Sequence, residues 1–104
     1  MSKTQAWEGK HLRERDIEQY LVGKVKALGG IAYKWTSPGN NGVPDRIVIV
    51  PGNGIVFVEL KAPGAKPTAL QIAQHRRLTS MGCDVRVIDS KAQVDALIQE
   101  LAGR

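Results

Sequence analysis

Cysteine is almost missing from this chain: Cys83 is the only one in 104 residues. A single thiol excludes an internal disulfide and any Cys-rich zinc site, and it suits a reducing cytoplasm. Histidine is nearly as scarce. His11 and His75 have no Cys or His partner at zinc-ligand spacing, so both are expected on the surface or on a helix face. Cys83 has no Cys-His-Asn-like company and reads as a small apolar residue, not a nucleophile. No stretch approaches the roughly 20 apolar residues of a membrane span, and the charged start from Met1 to Arg15 lacks the apolar core of a signal peptide. A soluble, unprocessed protein is expected. Repeats and low-complexity runs are also lacking, so residues 1–104 are expected to form one domain, with 1–12 as a possible flexible arm. The glycines from Gly39 to Gly42 lack the Gly-Lys-Ser/Thr ending of a phosphate-binding P-loop and precede a strand instead of a helix.

What is present is an apolar fraction of 42%, enough for a packed core, and a net charge of +5 from 15 basic and 10 acidic residues. The charge is spread along the chain. Residues 1–30 hold six basic and four acidic groups, 31–60 two and two, and 61–104 seven and four. A basic domain of this kind favours a polyanionic partner. Ile17, Leu21, Val22, Val25 and Leu28 recur at helical spacing and predict a helix from Glu14 to Leu28, stopped by Gly29 and Gly30. Ile31 to Thr36 reads as a strand, and Ser37 to Pro44 as a loop. Ile47 to Val50 and Ile55 to Val58 are continuous apolar runs around a Pro51–Gly54 turn. They predict two central antiparallel strands covered on both faces. A second helix is expected from Thr68 to Met81, with Leu70, Ala73, Leu78 and Met81 on its apolar face and Gly82 as its stop. Val85 to Ile88 is a fourth strand. Ser90 opens a last helix with an inner face of Val94, Leu97, Ile98 and Leu101. The order αβββαβα gives an α/β fold with a mixed central sheet flanked by helices.

Charge interrupts the apolar pattern at informative places. Asp45 stands at the mouth of the second strand, and Glu59 and Lys61 at the end of the third. A turn centred near Gly52 pairs residues whose numbers sum to about 104, which sets Asp45 opposite Glu59. Alternation puts Glu59 and Lys61 on one face and Leu60 on the other, with the Leu60 carbonyl near the carboxylates. Two close carboxylates repel unless a cation or a shared proton intervenes, and Mg²⁺ or Mn²⁺ favours carboxylate, carbonyl and water oxygens. A lysine beside such an ion suits phosphodiester hydrolysis, where it positions water and offsets developing charge. The bland reading of the same residues is a solvated ion pair at a strand end.

Pro44-Asp45 followed by Glu59-Leu60-Lys61 resembles the PD-(D/E)xK nuclease superfamily, whose core order the predicted elements also resemble. More narrowly, Glu14 to Leu28, Ser37 to Arg46, Val58 to Gly64 and Gln71 look like the VRR-NUC family, in its stand-alone phage and prophage form. The resemblance implies metal-binding roles for Asp45 and Glu59, a backbone-carbonyl role for Leu60, a catalytic role for Lys61, and a glutamate on the first helix reaching the metal. On a helical wheel with Ile17 at zero, Glu14 and Glu18 fall at about 60° and 100°, both within the apolar stripe. Glu18 is favoured because Gln19-Tyr20-Leu21 follow it as in phage relatives, with Glu14 as the substitute. Gln71 occupies the family's glutamine position, yet Thr68-x-x-Gln71 is also a capping box, and one side chain can hardly serve both in one conformation. Ser90-x-x-Gln93 reads only as a cap.

Lys34, Arg46, Lys66, Arg76 and Arg77 are candidate contacts to DNA phosphates, each equally at home on a solvated face. Tyr33 and Trp35 share one face of the first strand, where packing is favoured over stacking on a base. The loop from Gly39 to Gly42 is expected to let backbone approach DNA near Asp45. Nothing resembles a sequence-reading helix or zinc finger, so DNA is expected to be read by shape. The resemblance implies a metal-dependent endonuclease leaving 5′-phosphate and 3′-hydroxyl ends, needing Mg²⁺ or Mn²⁺ and no organic cofactor. It further implies a homodimer acting on branched DNA, notably four-way junctions, although no apolar interface stands out in the sequence. A flap or fork nuclease and a non-catalytic branched-DNA-binding module are the alternatives.

Overall fold

The computed structural model describes residues 12–52 and 54–104. It contains helix α1 (Glu14–Ala27), strands β1 (Ile31–Lys34), β2 (Arg46–Ile49) and β3 (Ile55–Leu60), helix α2 (Ala69–Ser80), strand β4 (Asp84–Ile88) and helix α3 (Lys91–Ala102). The expected arm falls outside these residues except for Leu12, which packs against the core. One four-stranded sheet runs β1-β2-β3-β4, antiparallel across the first three strands and parallel between β3 and β4. Arg46 pairs with Val58 and Ile47 with Phe57, the register that the turn near Gly52 predicts. β3 runs two residues beyond the expected Val58, because β4 continues the ladder through Glu59↔Val87 and Leu60↔Ile88. That extension holds Glu59 rigidly in the sheet.

The core lies on one side of the sheet. Ile17, Leu21 and Val25 of α1 and Val94, Leu97 and Leu101 of α3 pack on Ala32, Val48, Val50, Val56, Val58, Leu60 and Ile88. The apolar stripes of α1 and α3 thus lie where helical spacing places them.

The second face departs from the expected double coverage. No α2 side chain is fully buried, and Ile31, Ile55 and Tyr33, the last 54% exposed, line that face in the open. Tyr33 therefore does not pack, whereas Trp35 does, its ring centroid 5.0 Å from that of Phe57. Continuous apolar runs indicated two buried faces, but a single helix on that side covers only part of it. α2 is also rotated from the expected stripe. Leu70, Ala73 and Met81 are exposed, while Gln71, Gln74, His75 and Leu78 are partly buried. The inward edge is centred roughly 80° from the predicted one, with Leu78 common to both.

α2 is fixed at its start by the glycine loop. Gly42 has φ +91, and a Cβ there would stand 2.9 Å from the Leu70 carbonyl oxygen and 3.1 Å from the Gln71 nitrogen. At Gly42 the close backbone approach is to the first turn of α2. Gly42→Ala combines a left-handed backbone cost of about 1–2 kcal/mol with that clash. We expect Tm to fall by roughly 5–10 °C, read by circular dichroism; an unchanged Tm would show that the loop does not anchor α2.

Candidate active site

The site is assembled at one end of the second sheet face, where β2 begins, β3 ends and α2 crosses. Asp45 immediately precedes β2, and its Oδ2 accepts a 2.8 Å hydrogen bond from the Leu60 amide. The contact the structure shows at Leu60 is thus its N–H, on the residue whose carbonyl the sequence singled out. Among the described residues Glu59 is the buried charged residue, 1% exposed, and it lies within the electrostatic reach of Asp45. Lys61 Nζ stands 3.9 Å from Glu59 Oε2, its side chain 13% exposed.

Burial pushes the Glu59 carboxyl up to about 8, reinforced by the charges of Asp45 and Glu14 and opposed by Lys61. Desolvation comes first because an ion surrounded by protein loses its hydration. Glu59 therefore carries a proton at neutral pH while no cation is bound.

Helix α2 contributes two groups on successive turns. Gln71 does both things that the sequence set in opposition, because its amide has two ends. Gln71 Oε1 accepts from the Thr68 amide at 2.9 Å, Thr68 Oγ1 accepts from the Gln71 amide at 3.2 Å, and Gln71 Nε2 donates to Glu59 Oε2 at 3.1 Å. The capping box thereby aims the glutamine at the carboxylate. His75, one turn later, brings its Nε2 to 3.4 Å from Glu59 Oε1, with its side chain 11% exposed. Burial holds the imidazole below its usual range, so it is neutral at pH 7. The sequence reading missed His75 as a site residue. The signal was its spacing of four from Gln71, which puts both on one helix face.

The two glutamates of α1 separate clearly. Glu18 Oε2 is bound by Arg46 Nε at 2.8 Å, and Arg46 also donates to the Ala32 carbonyl at 3.0 Å. Glu14 instead lies within the field of Asp45 and Lys61, and burial and then Asp45 raise its carboxyl while Lys61 lowers it. Arg46 is thus engaged inside the protein. Lys34 and Arg46 alternate onto the α1 face, opposite the carboxylates, while Lys34, Lys66, Arg76 and Arg77 are exposed. Ser90 caps α3 as expected, its Oγ accepting from the Gln93 amide at 3.1 Å.

An Asp-Glu pair and a lysine at one end of a mixed four-stranded sheet, with helices on both sides, define a nuclease of the restriction-endonuclease-like α/β class. No protein-family model matches the chain. It is 54% identical over 80 residues to the protein named "Putative nuclease p44" of Acyrthosiphon pisum secondary endosymbiont phage 1, covering 77% of this chain and 86% of that one. It is also similar to a solved structure titled "VRR_NUC domain", with a TM-score of 0.77 and 38% identity over 83% of this chain and 94% of the other. The chain belongs to the VRR-NUC family of nucleases.

The site's chemistry fits a divalent cation. The charge of Asp45 bears on the Glu59 carboxyl, and buried Glu59 Oε1 has no hydrogen-bond partner among the described residues. Among those residues, no group of three or more Asp, Glu, His or Cys side chains is placed to hold a metal ion. A hard ion held by one or two carboxylates takes its other ligands from water and substrate. The described residues hold no helix long and apolar enough to cross a membrane.

Proposed function

We propose that this chain is a metal-dependent endonuclease that hydrolyses phosphodiester bonds in branched DNA, preferring four-way junctions and acting as a homodimer. The observation that carries the reading is buried Glu59 with Lys61 Nζ 3.9 Å away and the partly buried Asp45 beside it, held by the Leu60 amide at 2.8 Å. Asp45 and Glu59 would hold Mg²⁺ or Mn²⁺, together with the Leu60 carbonyl. When bound, such an ion supplies Lewis acidity toward a phosphate oxygen and lowers the pKa of attacking water.

The chain's own groups do the remaining work. Gln71 fixes the Glu59 carboxylate, and Lys61 orients water and balances the negative charge that builds on the phosphoryl oxygens. Of the two α1 glutamates, Glu14 is the better candidate to reach the ion through water, since Glu18 already neutralises Arg46. Glu14→Gln is therefore expected to weaken Mn²⁺ binding several-fold in calorimetry. Glu18→Gln should leave it within about two-fold and lower Tm instead. The reverse ordering would return the role to Glu18.

Lys66, Arg76 and Arg77 are free to meet phosphates, as exposed cations near or on α2. A small domain with one site needs a second copy to nick two strands symmetrically. The exposed Ile31, Tyr33 and Ile55, on the sheet face that carries the carboxylates, offer apolar surface for such a contact. The test is a panel of end-labelled four-way junction, flap, linear duplex and single-stranded DNA with Mg²⁺. Paired symmetric nicks confined to the junction are expected; cutting of flaps alone would move the substrate, and binding without cutting would favour a non-catalytic module.

A further inference from the structure

The most unusual polar contact in the molecule is one that is not made. Glu59 Oε1 and His75 Nε2 are both sealed from solvent, lie 3.4 Å apart, and have no hydrogen-bond partner among the described residues. Leaving a buried donor or acceptor unsatisfied is destabilising, and here two such atoms face each other. The other oxygen of the same carboxylate is already taken by Gln71 Nε2 at 3.1 Å. One helix face therefore presents two nitrogen donors, a turn apart, to the two oxygens of one carboxylate.

From this geometry we infer that His75 is a positioning residue for Glu59: its Nε2–H closes onto Oε1 and completes a clamp begun by Gln71. The inference rests on the proposed metal-dependent reading of the site. An ionised carboxylate is acceptor-only with about four lone-pair positions, so one hydrogen bond to each oxygen leaves room for a cation. A bond to a charged acceptor is also about twice as strong as a neutral one. The groups facing the imidazole are consistent: Asp45 and Lys61 both lie within its electrostatic reach. Outer partners of this kind orient a ligating carboxylate, and their loss commonly weakens metal binding 10- to 100-fold.

The experiment is two-bond ¹H–¹⁵N correlation of the histidine rings in the full chain, with and without Mg²⁺, alongside Mg²⁺ calorimetry of His75→Phe and His75→Gln. The expected result is a neutral His75 protonated at Nε2 in the Mg²⁺-loaded protein. His75→Phe should fill the space yet bind Mg²⁺ about 10- to 100-fold more weakly, and His75→Gln, which restores a donor, should recover most of the loss. A merely packed histidine would show no such rescue. Nδ1 protonation with Nε2 bare or metal-bound would overturn the inference, as would wild-type affinity in His75→Phe. Failure of the wild-type protein to bind Mg²⁺ at all would instead bring down the metal-dependent reading together with it.

Discussion

Lys61→Ala should lose cleavage by about 10²- to 10⁴-fold while DNA affinity changes little. The expectation follows from where the ammonium sits. Its side chain is 13% exposed and Nζ lies 3.9 Å from Glu59 Oε2, whose side chain is 2% exposed. A fixed charge there acts at low effective dielectric, which is why it matters more to the charged transition state than a surface lysine would. On the proposed reading, phosphate contacts fall to the exposed Lys66, Arg76 and Arg77, so removing the largely buried Lys61 charge moves affinity little. Lys61→Ala also removes the group that lowers the Glu59 carboxyl, so cation binding should weaken modestly, and saturating Mn²⁺ should not restore the rate. Single-turnover cleavage beside a binding titration separates the two effects. Cleavage near the wild-type rate would deny Lys61 its role.

The second large effect concerns stability. Folded Glu59 keeps its proton to about pH 8, whereas the unfolded chain releases it near the ordinary value of 4.5. The folded state therefore binds more protons between those values, and stability falls as pH rises through that window. The full contribution is present below about pH 4.5. Each unit of separation is worth about 1.4 kcal/mol, so the loss across the window amounts to a few kcal/mol. Glu59→Gln removes the titration and keeps the shape. Without divalent cations, the variant should be more stable than wild type at pH 8 and nearly equal to it at pH 5, with no cleavage at either. In wild type, Mg²⁺ should raise Tm more at pH 8 than at pH 5, because the cation binds the ionised carboxylate. A wild-type Tm that rises steadily from pH 5 to 8 in EDTA would contradict the buried proton.

The sequence made the sheet and the heart of the site readable because both depend on short-range rules. A tight turn near Gly52 fixes the β2–β3 register, and the register alone sets Asp45 against Glu59. The stripes Ile17-Leu21-Val25 and Val94-Leu97-Leu101 follow from helical periodicity, and both are buried. What could not be read depends on long-range packing. Helix α2 has a weak apolar pattern, so its orientation is decided by the Gly42 contact and by polar bonds to Glu59. The Leu70-Ala73-Met81 stripe pointed elsewhere and left His75 unnoticed. Glu14 and Glu18 share a stripe on α1, and only Arg46, 28 residues from Glu18, separates them. Gln71 looked like a choice between cap and site because a motif shows which atoms can bond, not that two ends of one amide can be used together.

The central claim is that Asp45 and Glu59 hold a divalent cation that Lys61 assists in cutting DNA. Its most direct test is cleavage of an end-labelled four-way junction by wild type and by Asp45→Asn, in Mg²⁺, in Mn²⁺ and in EDTA, with folding of both checked by circular dichroism. The account predicts cuts by wild type with either metal, none in EDTA, and none by a folded Asp45→Asn variant under any condition. Cleavage by wild type in EDTA, or by Asp45→Asn at the wild-type rate, would contradict it.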